Sequence, residues 1–508
     1  MSSQEWWPRA YPTQEGPQTA DEIKSIPPEE KEERPKIPPE IHAVKDNEGP
    51  ALGGRTLIVC LDGTGDKFDG DNSNVVNLVS CLKKDHPNQV TYYQAGIGTY
   101  DKHGLSTGIS SAFDMAVGSS LGTHIKDAYR FLMQTYREGD RICLFGFSRG
   151  AYTVRCLAGM LHKVGLLPPH NVQQVQFAYE IYKDNTDHGW DMSVDFKRTF
   201  CMNVNVYFVG VWDCVASVGF IPRYLPLSST STSWVQHFRH AMSLDERRAK
   251  FKVCRWQQDE LDIIDKEQRE EQKLKEKGKE KVKKKKKKCR VDQHHVPNDV
   301  LEVWFAGCHA DVGGGSERNH VRHSLARIPL RWMIRQCFEC NTGIIFDAAA
   351  LAETGLDVHN LWPVYKKPTK PLIGPSPELI ERYFSGKLQP MHRRSTALGL
   401  GSKEEAEELN VADLLPEEAE DYFDSRAKIN DQLKEARGWW ILEFIPIKLL
   451  KEITPGRWHK FIGFNTGRHR VVREEHPLMH WTVETRMNEM RYRVKNRLGS
   501  YANWSVTA

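Results

Sequence analysis

Hydrophobic positions along the chain follow two patterns that alternate with each other. Continuous apolar runs, typical of strands buried on both faces of a parallel sheet, recur four times; they cover residues 55–61, 141–145, 204–212 and 300–306. Between them, apolar residues at helical spacing indicate helices over residues 75–84, 118–136, 151–164 and 172–184. Strands that alternate with helices form right-handed βαβ units, so the pattern predicts an α/β protein with a doubly wound, mostly parallel sheet and helices on both faces.

The alternation of strands and helices is absent from three segments, and these segments predict the domain organisation. Residues 1–50 contain 9 of the 26 prolines among many Glu, Lys and Gln residues, which indicates a disordered tail. Residues 265–290 interrupt the alternation and are interpreted as an insertion within an α/β domain that spans residues 51–345. Residues 346–508 are less regular and predict a mainly helical C-terminal extension that packs on this domain.

Composition supports a large folded core and locates the charge outside it. The 508 residues include 14 Trp, 16 Tyr and 20 Phe, which excludes disorder throughout the chain. The formal net charge is +4, but the tail carries 11 acidic and 6 basic side chains, and the insertion carries 14 basic and 6 acidic ones. The rest of the chain is therefore nearly neutral, which argues against a protein that is built mainly to bind nucleic acid.

Targeting and redox features indicate an intracellular protein. The N-terminal sequence MSSQEWWPRA lacks the basic start and apolar stretch of a secretory signal, and no run approaches the roughly 18 apolar residues that span a bilayer. The 11 cysteines are scattered singly, which suits reduced thiols and not a disulfide framework. We therefore expect a cytoplasmic protein, while peripheral membrane or nuclear placement and the oligomeric state stay open.

The motif Gly146-Phe-Ser148-Arg-Gly150 is the most specific chemical signal in the chain. It follows a predicted strand and precedes a predicted helix, which is the context that a G-x-S-x-G nucleophile turn requires. The turn is sharp, so a β-carbon at either glycine would collide with neighbouring backbone. Such a turn lifts the serine hydroxyl above the carboxyl edge of the sheet, where open α/β sheets bind ligands. Ser148 is therefore the predicted nucleophile.

A serine hydroxyl needs a base to accept its proton and an acid to orient that base. Asp213 ends one predicted strand, and His309 follows a later one. The order Ser148, Asp213, His309 is the chain order of α/β-hydrolase triads. Asp311 is the competing acid, but it would need an unusual turn to reach a histidine only two residues away. A helix N-cap for Asp213 and a hydrogen-bonded, half-buried structural role for His309 are the alternative interpretations.

Two backbone donors are also needed to stabilise the oxyanion of an acyl-transfer intermediate. One is predicted at the N–H of Arg149, the residue after the nucleophile. The other is predicted at Gly63 or Thr64, in the glycine-rich loop after the first strand. Asp62 begins this loop and would either fix it or approach Ser148; an ordinary βα turn is the alternative.

Three other activities or sites that short motifs suggest are not supported, because the sequence lacks residues that they require. A strand ending in D-x-D-G-T would indicate a phosphatase of the haloacid-dehalogenase type, but Cys60 stands at the position of its nucleophilic aspartate. No Walker A loop follows either glycine-rich strand end, so a nucleotide triphosphatase is not supported. Cys337 and Cys340 form a lone CxxC, which does not favour zinc. Acyl transfer by a serine triad needs no metal or other cofactor, so none is predicted.

Eight segments carry a family resemblance. They are Leu61-Asp-Gly-Thr64, Asn74-Val-Val-Asn77, Ile125-Lys-Asp-Ala-Tyr129, Tyr136-Arg-Glu-Gly-Asp-Arg-Ile142, Phe145-Gly-Phe-Ser-Arg-Gly-Ala-Tyr-Thr153, Val211-Trp-Asp-Cys-Val-Ala-Ser217, His240-Ala-Met-Ser-Leu-Asp-Glu-Arg-Arg248 and Trp304-Phe-Ala-Gly-Cys-His-Ala-Asp-Val-Gly-Gly-Gly315. Over about residues 55–345 the chain resembles the catalytic domain of type VI secretion phospholipase effectors of the first lipase class, a family with many fungal members. The resemblance implies an α/β-hydrolase fold with nucleophile, acid and base at Ser148, Asp213 and His309.

The sequence therefore predicts a serine esterase or lipase that cleaves carboxylic esters, with lipid or phospholipid acyl esters as the expected substrates, through an acyl-enzyme. A non-catalytic binding or scaffold protein that keeps the hydrolase fold is the alternative. An apolar stretch in the extension is interpreted either as a lid or membrane-contacting face or as C-terminal core; it contains Trp439, Trp440, Phe444, Ile445 and Ile447.

Six consecutive lysines, from Lys283 to Lys288, raise the question of a partner. Such a block of like charge predicts peripheral contact with anionic lipid headgroups. Nuclear import, general attraction to nucleic acid and a plain solvated loop are the alternatives. No specific nucleic-acid partner is predicted.

Overall fold

Eight parallel strands form the central sheet of the computed structural model, which describes residues 35–49, 52–96, 111–215, 234–256, 299–400, 415–455 and 457–508. The strands within these ranges are β1 (Glu40–His42), β2 (Thr56–Leu61), β3 (Gln89–Gln94), β4 (Arg141–Phe147), β5 (Val206–Trp212), β6 (Val235–Ser243), β7 (Asp299–Phe305), β8 (Ile345–Asp347), β9 (Ile447–Thr454), β10 (Arg457–Gly463), β11 (Val471–Val472), β12 (Leu478–His480), β13 (Arg497–Leu498) and β14 (Ser505–Thr507).

Helices cover both faces of this sheet. Within the same ranges they are α1 (Asn74–Cys81), α2 (Ser111–Thr135), α3 (Ser148–Val164), α4 (Gln174–Lys183), α5 (Asp187–Phe200), α6 (His309–Gly313), α7 (Arg327–Glu339), α8 (Ala348–Glu353), α9 (Pro377–Phe384), α10 (Arg393–Ala397), α11 (Glu417–Ser425), α12 (Gln432–Glu435), α13 (Trp440–Glu443) and α14 (Trp481–Glu489). Short 3₁₀ turns cover Val358–Asn360 and Arg437–Trp439.

The strand order places the loop after β2 and the turn after β4 side by side at the carboxyl edge of the sheet. Across the sheet the order is β14-β12-β7-β6-β5-β4-β2-β3, and every neighbouring pair is parallel. The chain passes from β2 outward to β3 and returns on the other side of β2 as β4, so the direction of winding reverses between β2 and β4. Open α/β sheets bind ligands at such a switch point, outside the carboxyl ends of the strands.

Two cores, one on each face of the sheet, explain the continuous apolar runs. In β2, Leu57 and Val59 belong to a core that also contains residues of α2, α3 and α4. Ile58 and Cys60 belong to a core that contains residues of α1, α7 and α8. Because both faces of the central strands are covered, the sequence of these strands has no alternation between apolar and polar residues.

The predicted α/β-hydrolase-like sheet, with helices on both faces and a helical C-terminal region, is confirmed. The strands β2, β4, β5 and β7 and the helices α1 to α4 correspond to the predicted elements. The pattern missed β3, β6 and α5. In β6, Arg239 donates to Gln336 and His240 pairs with Glu302 in the interior. These buried polar side chains interrupt the apolar run by which a central strand is recognised.

The prediction of a disordered tail over residues 1–50 is wrong at its C-terminal end. The main folded unit begins at Ile37. β1 pairs antiparallel with β8, and both Ile37 and Ile41 are buried. A three-residue strand among prolines gives too weak a periodic signal to be recognised. Residues 1–34 and the predicted insertion at 265–290 lie outside the described residues.

The C-terminal region also takes part in the central sheet. β12 pairs parallel with β7, and β14 pairs parallel with β12, so two strands from residues 346–508 continue the sheet beyond β7. β9 and β10 form a separate antiparallel hairpin. In the ranges that the structure describes, no helix combines the length and the apolar character needed to cross a membrane.

Buried charges hold helix α11 against helix α7. Arg331 donates to Asp421 at 2.5 and 2.8 Å and to Asp424 at 2.6 Å. One turn later, Arg335 forms a bidentate pair with Glu417. Burial alone would raise the pKa of Asp424, but Arg331 outweighs it and lowers the pKa to about 2. Since an unpaired buried charge is very unfavourable, these pairs fix the position of α11.

Replacing Arg331 with alanine is expected to lower the free energy of unfolding by about 3–5 kcal/mol, because Asp421 and Asp424 then stay buried without their cation. Urea unfolding of the purified protein measures this loss. Lys428→Ala is the matched control, since Lys428 pairs with Glu435 at the surface and its removal should have little effect. Equal losses in the two variants would contradict the importance of the buried pairs.

Candidate active site

The turn from β4 into α3 presents Ser148 in a conformation that few side chains adopt. Its φ is 55°, in the left-handed region. A β-carbon on Gly146 would lie 2.7 Å from the backbone of Gly150 and Ala151, and one on Gly150 would lie 2.2 Å from the carbonyl oxygen of Leu61. Both glycines of the motif are therefore required for this close approach, which places the serine beside the loop after β2.

Two of the predicted site residues, Ser148 and Asp213, lie within hydrogen-bond distance of the third, His309. Ser148 Oγ is 2.7 Å from His309 Nε2, and His309 Nδ1 is 2.5 Å from Asp213 Oδ2. Ser148 follows β4, Asp213 follows β5 and His309 follows β7, so each side chain comes from the carboxyl end of a different strand. All three residues are buried. Residues far apart in the sequence thus form one hydrogen-bonded line.

A guanidinium from the C-terminal region neutralises Asp213. Arg470 Nη1 lies 2.6 Å from Asp213 Oδ1, and Nη2 lies 2.9 Å from Oδ2. The N–H of Ser243 also donates to Oδ1, at 3.0 Å. Burial alone would raise the pKa of Asp213, but the charge of Arg470 and the hydrogen bond from His309 outweigh it and hold the pKa well below its usual range. Asp213 is therefore ionised.

His309 stands in a buried aromatic setting that favours the neutral form of its imidazole. The ring centroids of Phe147 and Phe251 lie 4.7 and 4.8 Å from that of His309. Burial lowers the pKa of His309; Asp213 opposes this shift and Arg248 adds to it. When Nδ1–H donates to Asp213, Nε2 faces the serine hydroxyl with a free lone pair. A neutral imidazole in this tautomer can accept the serine proton.

Glu246 and Arg248 form a second charged pair beside the imidazole. Arg248 Nη2 lies 2.7 Å from Glu246 Oε2, and the same oxygen accepts the N–H of His309 at 3.3 Å. The Arg248 guanidinium carbon lies 3.5 Å from the ring centroid of Phe251 and 4.7 Å from that of Trp439. The apolar stretch that begins at Trp439 therefore borders the site.

The predicted oxyanion donors lie on two adjoining segments, and one of these donors already has a hydrogen-bond acceptor. The N–H of Gly63 donates to Asp62 Oδ1 at 2.8 Å, while the hydroxyl of Tyr93 donates to Asp62 Oδ2 at 2.9 Å. Asp62 thus fixes the loop after β2, and burial raises its pKa. Within the described residues, the N–H of Thr64 has no acceptor. Arg149 lies in the first turn of α3, at the positive end of the helix dipole.

Asp311, the competing acid, is engaged elsewhere. Its Oδ2 accepts the N–H of Cys308 at 2.8 Å and the backbone N–H of Asn430 at 2.9 Å, and its Oδ1 accepts the Asn430 side-chain amide at 2.9 Å. Asp311 thereby caps α6 and ties it to the C-terminal region. The carboxylate that contacts Nδ1 of His309 is that of Asp213.

Three charged residues of the site were not predicted: Glu246, Arg248 and Arg470. Glu246 and Arg248 lie in a segment of the family resemblance, but charged residues after a strand are common and carry no signal of their own. Arg470 is 257 residues from Asp213 and belongs to no motif. A buried arginine needs a carboxylate partner, yet the sequence alone does not tell which arginine becomes buried.

One cluster in the described part of the chain has the residue types of a metal site, but an arginine side chain already binds two of its members. The candidate ligand atoms of His237, Asp299 and Cys340 lie within 4.8 Å of one another. Arg239 Nη2 donates to Asp299 Oδ2 at 2.5 Å and to Cys340 Sγ at 3.0 Å. The guanidinium therefore supplies the positive charge that a metal would bring, and the cluster fits an ion pair.

Comparison with known proteins identifies a family and one relative of similar length. The family model described as "T6SS, Phospholipase effector Tle1-like, catalytic domain" matches residues 55–336, a range that includes Ser148, Asp213 and His309 but not Arg470. The uncharacterized protein YEL023C of Saccharomyces cerevisiae is 26% identical over an alignment of 568 positions, which covers 87% of this chain and 80% of that protein.

Two solved structures are also similar, each with 16% sequence identity. An uncharacterized protein from Pseudomonas aeruginosa matches over 72% of this chain and 56% of its own, with a TM-score of 0.32. The Tle1 effector bound to the VgrG spike of the type 6 secretion system matches over 52% of each chain, with a TM-score of 0.27. This chain thus spans about half the length of these two solved proteins.

Replacing Arg470 with glutamine is expected to raise the pKa of His309, because Asp213 loses its cation and its negative charge then favours the imidazolium. Titration of ¹³C-labelled histidines by NMR measures the pKa, and the resonance is assigned by its loss in His309→Asn.

Two further variants distinguish the effect of the positive charge at Arg470 from the effect of local structural damage. Arg470→Lys keeps the positive charge and should raise the pKa of His309 less than Arg470→Gln. Arg468→Gln removes an exposed arginine two residues away and should leave the pKa unchanged. If the His309 pKa in Arg470→Gln equals that in the native protein, the guanidinium does not control the imidazole.

Proposed function

Because the chain belongs to the family of type VI secretion system phospholipase effector Tle1-like catalytic domains, we propose that it is a serine hydrolase that cleaves acyl esters of lipids or phospholipids. The hydrogen-bonded line from Ser148 through His309 to Asp213 is the observation that carries this proposal. The family description supports a lipolytic enzyme, and the geometry supports serine as its nucleophile.

In the proposed reaction, Ser148 Oγ attacks the carbonyl carbon of the ester while His309 Nε2 accepts the hydroxyl proton. Asp213 holds the imidazole with its proton on Nδ1 and stabilises the imidazolium that forms. When the tetrahedral intermediate collapses, His309 gives the proton to the leaving alcohol, and an acyl-serine remains. Water, activated by the same histidine, then releases the carboxylic acid and restores the Ser148 hydroxyl.

The negative charge on the carbonyl oxygen needs donors that are already in position. We assign this role to the backbone N–H groups of Arg149 and Thr64. The N–H of Gly63, the other candidate, would first have to give up its hydrogen bond to Asp62.

The two charged pairs beside the imidazole suit a base that works at neutral pH. Arg470 neutralises Asp213, and Arg248 neutralises Glu246. Two unpaired carboxylates at these positions would raise the pKa of His309 and keep it protonated, so that it could not accept the serine proton. The arginines therefore favour the neutral base.

Apolar surface beside the site supports a lipid substrate. The ring of Trp439 contacts Phe251, which contacts His309. In the same stretch, Ile441 and Phe444 are 73% and 61% exposed. Exposed apolar side chains next to a reaction site fit contact with acyl chains or with a lipid surface. We propose that residues 439–447 form a lipid-facing rim.

Replacing Ser148 with alanine should abolish covalent labelling by a fluorophosphonate probe and lower ester hydrolysis by at least about 10³-fold, because the nucleophile is removed. Labelling is measured by in-gel fluorescence, with circular dichroism as the check on folding. Ser80→Ala, which alters an exposed serine on α1, is the matched control and should label like the native protein.

Two outcomes bear on the alternatives. A folded native protein that the probe does not label would favour a non-catalytic scaffold with the hydrolase fold. If labelling occurs, hydrolysis rates on phospholipids, triglycerides and short soluble esters compare the substrate classes. A preference for short soluble esters would contradict the lipid assignment and leave a general esterase.

We further propose peripheral contact with anionic membranes through Lys283 to Lys288, which lie outside the described residues. Each lysine near an anionic surface contributes up to about 1 kcal/mol of binding free energy. Replacing all six with serine should reduce sedimentation of the protein with phosphatidylserine vesicles and leave hydrolysis of short soluble esters unchanged. Undiminished sedimentation would show that the tract does not anchor the protein.

A further inference from the structure

A cavity of about 330 Å³ adjoins the turn before His309 but is lined neither by this histidine nor by Ser148. Cys308 forms part of its wall. Of its eleven lining residues, five are arginine or lysine: Arg247, Lys434, Arg491, Arg493 and Lys495. We call it the basic cavity.

The two carboxylates of the basic cavity are already satisfied. Asp431 Oδ2 accepts from Arg247 Nε at 2.9 Å and lies 2.8 Å from Nη2. Asp245 Oδ2 accepts the N–H of Gly307 at 2.7 Å and the hydroxyl of Tyr492 at 2.9 Å. Burial raises the pKa of Asp245. These acids therefore do not compensate the remaining cations.

Three of the cations come from the segment between α14 and β13. Arg491, Arg493 and Lys495 are exposed, whereas the intervening Tyr492 and Val494 are half-buried and pack against a hydrophobic cluster. All three side chains line the basic cavity, and Arg491 begins the segment with a left-handed φ of 53°. The ion pairs within the cavity are those of Arg247 and Lys434 with Asp431; none in the described chain involves the other three cations.

A buried polar atom in the same wall also lacks a partner. Nδ1 of His469 is shielded from solvent and has no hydrogen-bond partner among the described residues. Burial lowers the pKa of His469, so the neutral ring can donate or accept one hydrogen bond. A buried polar atom without a partner is unfavourable unless a ligand or water supplies one.

We propose that the basic cavity binds a phosphate-bearing anion. Phosphate oxygens accept several charge-assisted hydrogen bonds at once, and the planar guanidinium of arginine matches their geometry. A single carboxylate offers two oxygens and would leave most of these donors unused. This binding is separate from the proposed ester cleavage and does not depend on it.

Such an anion has two sources, a soluble phosphate compound or the headgroup of a phosphorylated lipid. The cavity adjoins the lipid-facing rim, because Trp440 Nε1 donates to the carbonyl of Leu433, the residue before Lys434. The chemistry of recognition is the same in both cases, so the experiment has one arm for each source.

In the first arm, isothermal titration calorimetry measures pyrophosphate binding to the full chain. Arg491→Glu combined with Arg493→Glu should weaken binding by at least about tenfold, because two hydrogen-bond donors are replaced by carboxylates that repel the anion. Lys367→Glu combined with Lys387→Glu is the matched control, since it makes the same change of charge at two exposed lysines outside the cavity. Acetate at the same concentration tests for general attraction of anions.

In the second arm, sedimentation with phosphatidylcholine vesicles is compared with and without phosphatidic acid. All variants keep Lys283 to Lys288, so the difference between the two double variants isolates the basic cavity. If Arg491→Glu combined with Arg493→Glu loses pyrophosphate binding and the control double variant does not, the result supports a soluble ligand. Selective loss of vesicle binding, with no pyrophosphate binding in the native protein, supports a lipid headgroup. Equal behaviour of the two double variants in both arms, or native binding to neither probe, would overturn the proposal.

Discussion

The buried pair of Asp213 and Arg470 joins the end of β5 to the C-terminal region by a bidentate electrostatic contact. Neither charge can be transferred from water into the interior without the other, since an unpaired buried ion is strongly unfavourable. Arg470 also donates to the carbonyl oxygens of Ser243 and Phe251, so the same guanidinium holds the end of β6 and the aromatic wall beside His309. The ionisation of Asp213 depends on this contact, which also joins a residue beyond the family-matched range to the site.

Two residues at the same place have a strained backbone conformation. Ser148 and Asp213 both have positive φ, at 55° and 37°, a region that side chains other than glycine seldom occupy. Each such residue costs of order 1–3 kcal/mol and persists only where its surroundings enforce it. Here the N–H of Asp213 donates to the carbonyl of Ala241 at 2.7 Å, and Gly150 packs on Leu61. The rigid parallel strands thus enforce the conformations that aim the two side chains at His309.

The sequence predicts features that depend on neighbouring residues and misses those that depend on distant pairing. The apolar run of β2 was recognised because both of its faces are buried, and Ser148 was recognised because the glycines beside it serve one local turn. By contrast, Arg470 acquires its role from a carboxylate 257 residues away. In β6, buried polar side chains hide a central strand, because their partners lie on other elements. The boundary of the N-terminal tail was misplaced for the same reason, since β1 is stabilised by pairing with β8 and by burial of Ile41 in a core formed by distant elements.

The position of β12 beside β7 has a consequence for how the protein folds in the cell. About 170 residues separate these neighbouring strands along the chain. At a synthesis rate of roughly 5–20 residues per second, β7 remains an open edge for on the order of 10–30 s after it is made. An unpaired edge strand is a template for association with other chains. During that interval, the stability of the finished fold does not yet protect this edge.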